Sequence, residues 1–116
     1  MDLGTLYRDI VETSMDGIWV IDDQGRTLYA NSRIAELLGR TPEELDGLTV
    51  FDALDDQGRH QFAEHLRDLR RGELHSHEVE CLWVRKDGGK LWVLVRESAL
   101  HDEQGNLLGF LHRVSD

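Results

Sequence analysis

Three short glycine-bearing turns constrain this 116-residue chain more than any other feature: DDQG at 22–25, KDGG at 86–89 and HDEQG at 101–105. Each separates two runs rich in β-branched and aromatic residues, the composition of strands. Glycine in such a loop supplies the positive φ that a tight reversal needs. GIWVID (17–22) therefore turns back onto RTLYA, and HEVECLWVR, KLWVLVRESAL and NLLGFLHRV form a second, three-strand series near the C-terminus.

The helical text lies before and between these groups. Leu3, Leu6 and Ile10, with Tyr7 beside them, recur at helical spacing and predict an N-terminal helix with a narrow apolar seam. Asn31 stands where SRIAELL needs an N-cap, worth about 1 kcal/mol, and Gly39 supplies the stop. TPEELDG repeats the pattern, with Thr41 as cap, Pro42 at the first helical position, Glu44 closing a capping box and Gly47 as terminator. Asp55 and Asp56 open a longer helix to Arg71, whose core stripe is Phe62, Leu66 and Leu69. Two early strands, three late ones and helices between them predict an α+β fold. One five-stranded antiparallel sheet carries short helices on one face and an N-terminal flanking helix. Residues 1–14 form that helix and 15–116 a single domain.

Composition removes several function classes. Thirteen basic residues against twenty-three acidic ones leave a net charge of −10, which repels nucleic acid and anionic lipid. A single cysteine allows no internal disulfide, no run reaches the length of a membrane span, and MDLGTLYRDI lacks the features of a signal peptide. A cytoplasmic setting follows. No nucleophile–base pair, phosphate-cradling loop or metal motif stands out, so a non-enzymatic role is expected. His75 and His77 share a strand face, but no acid or cysteine completes a metal set, and a solvated strand start is the simpler reading.

Four segments, DGIWVIDDQGRTLYAN, AELLGRTPEELDG, VRKDGGKLWV and DEQGNLLGFLHRVSD, follow one another in an order and spacing that resemble a bacterial sensor PAS domain across roughly residues 10–116. The resemblance implies a sheet curled against short helices around a small cavity. Such domains sense ligands, light or redox state, or mediate dimer contacts, and pass the result to an attached effector. The closing VSD resembles the boundary where an Asp, here Asp116, ends the last strand. The effector, a histidine kinase or cyclic-dinucleotide enzyme by resemblance, would lie beyond this chain. The implied function is a sensory or relay module that binds a small ligand, dimerises, or both; a ligand-free interaction module is the alternative.

Strand parity decides which residues face that cavity. A two-residue Asp87-Gly88 turn would pair Trp83 with Trp92. A three-residue Asp87-Gly88-Gly89 loop would pair Trp83 with Val93 and Cys81 with Val95. The second matches how flavin- and haem-binding relatives present their strands, and it is the expected register. Trp19, Ile21, Cys81, Trp83, Val93, Val95, Glu97, Phe110, His112 and Val114 then face inward. Leu82, Val84, Leu91, Trp92, Leu94 and Leu111 face outward, too apolar a set for open solvent. The Leu3/Leu6/Ile10 seam is the natural cover, from the same chain or from a partner, and a homodimer is expected.

Glu97 and His112 form a candidate polar patch for a small ligand, whereas a slip of one residue would leave both in water. Trp19 and Trp83 either fill the hollow or sandwich an apolar ligand. Haem is disfavoured. Its relatives place an axial His on the long helix, and His60 lies about 200° round that helix from Phe62. His65 is better aimed but further along, and the aligned position is Arg59. Light-sensing relatives need a Cys where this chain reads NSRIAELLG, and Cys81 reads as a small buried hydrophobe. No metal is assigned, and the identity of any small ligand stays open.

Overall fold

The structure is a computed structural model describing residues 2–72 and 76–116. The chain runs α1 (Leu3–Glu12), β1 (Gly17–Ile21), β2 (Thr27–Ala30), α2 (Ser32–Leu38), two 3-10 turns (Pro42–Leu45 and Val50–Ala53) and α3 (Asp56–Arg70). Three long strands follow: β3 (Ser76–Val84), β4 (Lys90–His101) and β5 (Leu107–Ser115). The strands form one antiparallel sheet in the order β2-β1-β5-β4-β3. Five strands with helices between the two groups is the architecture that the turn pattern predicts. The TPEELDG segment is a 3-10 turn with the expected Thr41–Glu44 capping box, and the second turn at Val50–Ala53 is an element that sequence reasoning did not anticipate.

All three hairpins close in the same way, with a three-residue loop that ends on a glycine at positive φ: Gly25 at 82°, Gly88 at 89° and Gly105 at 85°. In the first and third, the leading aspartate clamps its own turn. Asp22 Oδ1 accepts from the backbone N–H groups of Gln24 and Arg26, and Asp102 Oδ1 from those of Gln104 and Asn106.

The middle hairpin corrects the expected register. Its loop is Lys86-Asp87-Gly88, because the Arg85 N–H donates to Gly89 O at 2.7 Å and the Gly88 N–H to Arg85 O at 2.9 Å. Cys81 therefore pairs with Val93 and Trp83 with Leu91, two positions from the expected partners. A two-residue shift keeps parity, so every other inward position stays inward. Leu91 is the exception to the expected outer set: it faces inward and packs half-buried against the core.

The inner face meets α2, the 3-10 turns and α3 around Trp19, Ile21, Ile34, Leu38, Leu66 and Phe110. Gly109 lets β5 approach β1, since a Cβ there would lie 2.2 Å from the Ile21 carbonyl oxygen. Asn31 joins the corner between β2 and α2 to both of its neighbours. Fully buried, it accepts at Oδ1 from the Ile18 and Ile34 N–H groups, and its Nδ2 donates to the carbonyls of Val11 and Asp16. Asn31→Ala is expected to cost about 2 kcal/mol, the lost cap plus stranded buried partners. Thermal melting should read this as a fall of about 8 °C.

Among the described residues, α1 is hydrogen-bonded to that corner only through its last turn, where Tyr29 Oη also donates to Glu12 Oε1 at 2.7 Å. None of its residues is buried, and Leu3, Leu6 and Ile10 remain exposed. The seam does not close over the outer sheet within the chain. On that outer face Leu82, Val84, Leu94 and Leu111 are half-buried and Trp92 is 64% exposed.

Candidate functional site: a cavity with a buried acid between two imidazoles

A cavity of about 720 Å³ opens between α3 and the β3–β4–β5 end of the sheet. Cys81, Trp83, Val95, Glu97 and His112 line it from the strands, and Phe62 and His65 from α3. By strand parity Glu80, Leu82 and Trp92 come from the outer face and form its rim at the β3 edge. Trp19, Ile21 and Phe110 share the inner face but are packed in the core, away from the opening. Trp19 meets Trp83 edge-to-face with ring centroids 5.4 Å apart, so the Trp83 indole that lines the hollow is backed by Trp19 in the core.

Register brings the polar residues together. Glu97 on β4 lies directly across from His112 on β5 and from His77 on β3. His112 Nε2 is 2.5 Å from Glu97 Oε2, and His65 Nε2, from α3, is 2.7 Å from Oε1. The side chains of Glu97 and His112 are each 5% exposed, that of His65 19%. Burial alone would push the Glu97 carboxyl up, but the hydrogen bonds from His112 and His65 outweigh it and bring it down to about 2. An ionised carboxylate only accepts, so both imidazoles carry a proton on Nε2 and donate. The His77 ring stacks near that of His65, with centroids 4.8 Å apart.

His77 thus joins the cluster that sequence reasoning had placed at a solvated strand start, while His75 lies outside the described residues. The His65 contact was missed. Its signal in the sequence was its place three residues after Phe62, beside the helix stripe. His60 is on the solvent side of α3, paired with Glu64. Among the described residues, no group of three or more His, Cys, Asp or Glu is arranged to hold a metal ion. Burial, and then the Glu97 charge, push the Cys81 thiol up, which keeps it protonated and unreactive.

A family model described as PAS fold matches residues 5–116. The chain belongs to the PAS family. The PAS domain from Colwellia psychrerythraea superposes with a TM-score of 0.84 at 21% identity, covering 99% of this chain and 97% of that one. Among curated proteins, this PAS domain is 25% identical over 112 residues to the probable diguanylate cyclase DgcE of Escherichia coli K12, covering 97% of the chain. It is 27% identical over 86 residues to the sensor histidine kinase TmoS of Ectopseudomonas mendocina, covering 74% of the chain. The chain spans only 10% and 9% of the lengths of these two relatives.

Proposed function

We propose that this PAS domain is the sensory or relay module of a larger bacterial signalling protein and takes a small ligand in the cavity between α3 and the sheet. The observation that carries this reading is the open hollow of about 720 Å³ with a buried, hydrogen-bonded acid–imidazole cluster in its wall. The ligand-contacting set is Cys81, Trp83, Val95, Glu97 and His112, with Trp19, Ile21 and Phe110 as the packed floor behind it. The module works by binding and relay, with no catalytic step of its own.

The effector is a histidine kinase or a cyclic-dinucleotide enzyme, a reading supported by the two curated relatives. Occupancy would shift the population between two packings of α3 on the strands. The change has an exit at β5 and the residue after it, which are tied back to the domain: Arg113 to Asp16 at 3.0 Å and Asp116 to Arg33 at 3.1 Å. A homodimer formed through Leu3, Leu6 and Ile10 with Trp92, Leu94 and Leu111 would cover the exposed apolar surface of α1 and the outer sheet. A cytoplasmic setting belongs to the same proposal; no helix among the described residues is long and apolar enough to cross a membrane.

The Trp19–Trp83 contact favours a second reading, a ligand-free dimerisation module whose inner face is partly filled by its own indoles. Native mass spectrometry of freshly purified protein separates the two. The ligand-binding reading predicts a dimer that retains small-molecule mass, with Leu94→Asp shifting it to monomer and Val95→Trp losing the bound mass. A dimer without added mass supports the second reading, and a bare monomer contradicts both.

A further inference from the structure

The lining of the cavity narrows the chemistry of what enters it. Among the described residues, its walls and rim carry three carboxylates, Asp55, Glu80 and Glu97, and no lysine or arginine. The chain as a whole carries −10, so the field at the mouth favours cations. The nearby arginines Arg96 and Arg113 face the opposite side of the sheet by strand parity, and each is paired with another carboxylate, Glu78 and Asp16 respectively. Glu97 is ionised and buried, yet its partners are two imidazoles and no permanent cation. Phe62 and Trp83 supply aromatic surface beside it, suited to an apolar body and to the face-on approach of an ammonium group.

Resting on the ligand-binding reading above, we infer that the cavity takes a small organic amine with an apolar body, whose ammonium group replaces His65 on Glu97 Oε1. The more exposed His65 is the partner that gives way, while the buried His112 keeps its hydrogen bond to Oε2. The exchange has a structural consequence. Among the described residues, the His65–Glu97 bond is the one hydrogen bond by which a side chain of α3 reaches β3, β4 or β5; Arg59 and Arg70 bond to Phe51 O and Asp23 O instead. An amine on Glu97 therefore unlatches the helix from the sheet in the act of binding.

Isothermal titration at low salt with three probes that share a phenethyl body tests this: phenethylamine, 2-phenylethanol and 3-phenylpropionate. Phenethylamine is expected to bind the wild-type chain at least tenfold more tightly than the alcohol, with no binding of the acid. Glu97→Gln, with its fold checked by circular dichroism, should weaken the amine at least tenfold and leave the alcohol unchanged. His65→Ala should tighten the amine several-fold, because it removes the group the ligand displaces. Equal or tighter binding of the acid overturns the inference, as does an amine affinity indifferent to Glu97→Gln or lowered by His65→Ala. Failure of the amine alongside a bound mass in native mass spectrometry refutes the amine and spares the ligand-binding reading. Failure of all three probes with no bound mass refutes both.

Discussion

Glu97→Ala is expected to melt about 12 °C below the wild type, a loss of about 3 kcal/mol. The variant removes the acceptor shared by His112 and His65, so one buried imidazole and one half-buried imidazole lose their partner at once. The loss falls at the low end for a broken buried pair because the open cavity lets water reach the stranded rings. Its pH dependence is distinctive. Folding lowers the Glu97 pKa from 4.5 to about 2, so its stabilisation is complete above about pH 4.5 and disappears as pH falls towards 2. Melting curves of wild type and Glu97→Ala should converge across that window. Parallel curves with a constant gap would assign the loss to packing alone.

The largest single loss is expected from Trp19→Ala, at about 4 kcal/mol, or about 16 °C in melting temperature. Trp19 has no exposed surface, and its ring stands edge-on to Trp83. Its Nε1–H donates to Thr27 Oγ1 at 2.8 Å, and that hydroxyl donates onward to Leu48 O at 2.5 Å. Removing the indole leaves a void on the inner face and takes away the donor to the Thr27 hydroxyl, which keeps only its bond to Leu48 O. Trp19→Phe keeps most of the volume and loses only the hydrogen bond, so it should recover more than half of the difference. A melting temperature for Trp19→Ala within 5 °C of the wild type would contradict the packing described.

The fold was legible because its punctuation is local. Asp22, Asp102 and the three loop glycines decide their turns within five residues, and Asn31, Thr41 and Asp55 cap their segments from the side chain alone. The middle hairpin shows where this runs out. KDGG offers two glycines, and the loop used the first, which moved the pairing by two positions. Parity survived the shift, so the inward residues stayed inward and were joined by Leu91, although their cross-strand partners changed. Leu91 differs from the expected outer set because alternation along β4 puts it on the side of Val93 and Val95, opposite its neighbour Trp92.

The site was harder to read than the fold. Glu97 and His112 were recognisable by strand alternation, but His65 depends on the rotation and height of α3 above the sheet, which tertiary packing sets. His77 looked solvated because a strand start near charged residues carries no mark of a neighbouring helix. The packed floor of Trp19, Ile21 and Phe110 was likewise indistinguishable from cavity wall, since all three share the inward parity of Trp83 and Val95.

The most direct test of the account is an NMR titration of the Glu97 side-chain carboxyl in the folded protein. With His112 and His65 donating to its two oxygens, the carboxyl should remain ionised as pH falls through 4.5 and titrate only near 2. A midpoint at 4.5 or above would mean that Glu97 lacks these partners, and both the cavity cluster and the latch between helix and sheet would be refuted.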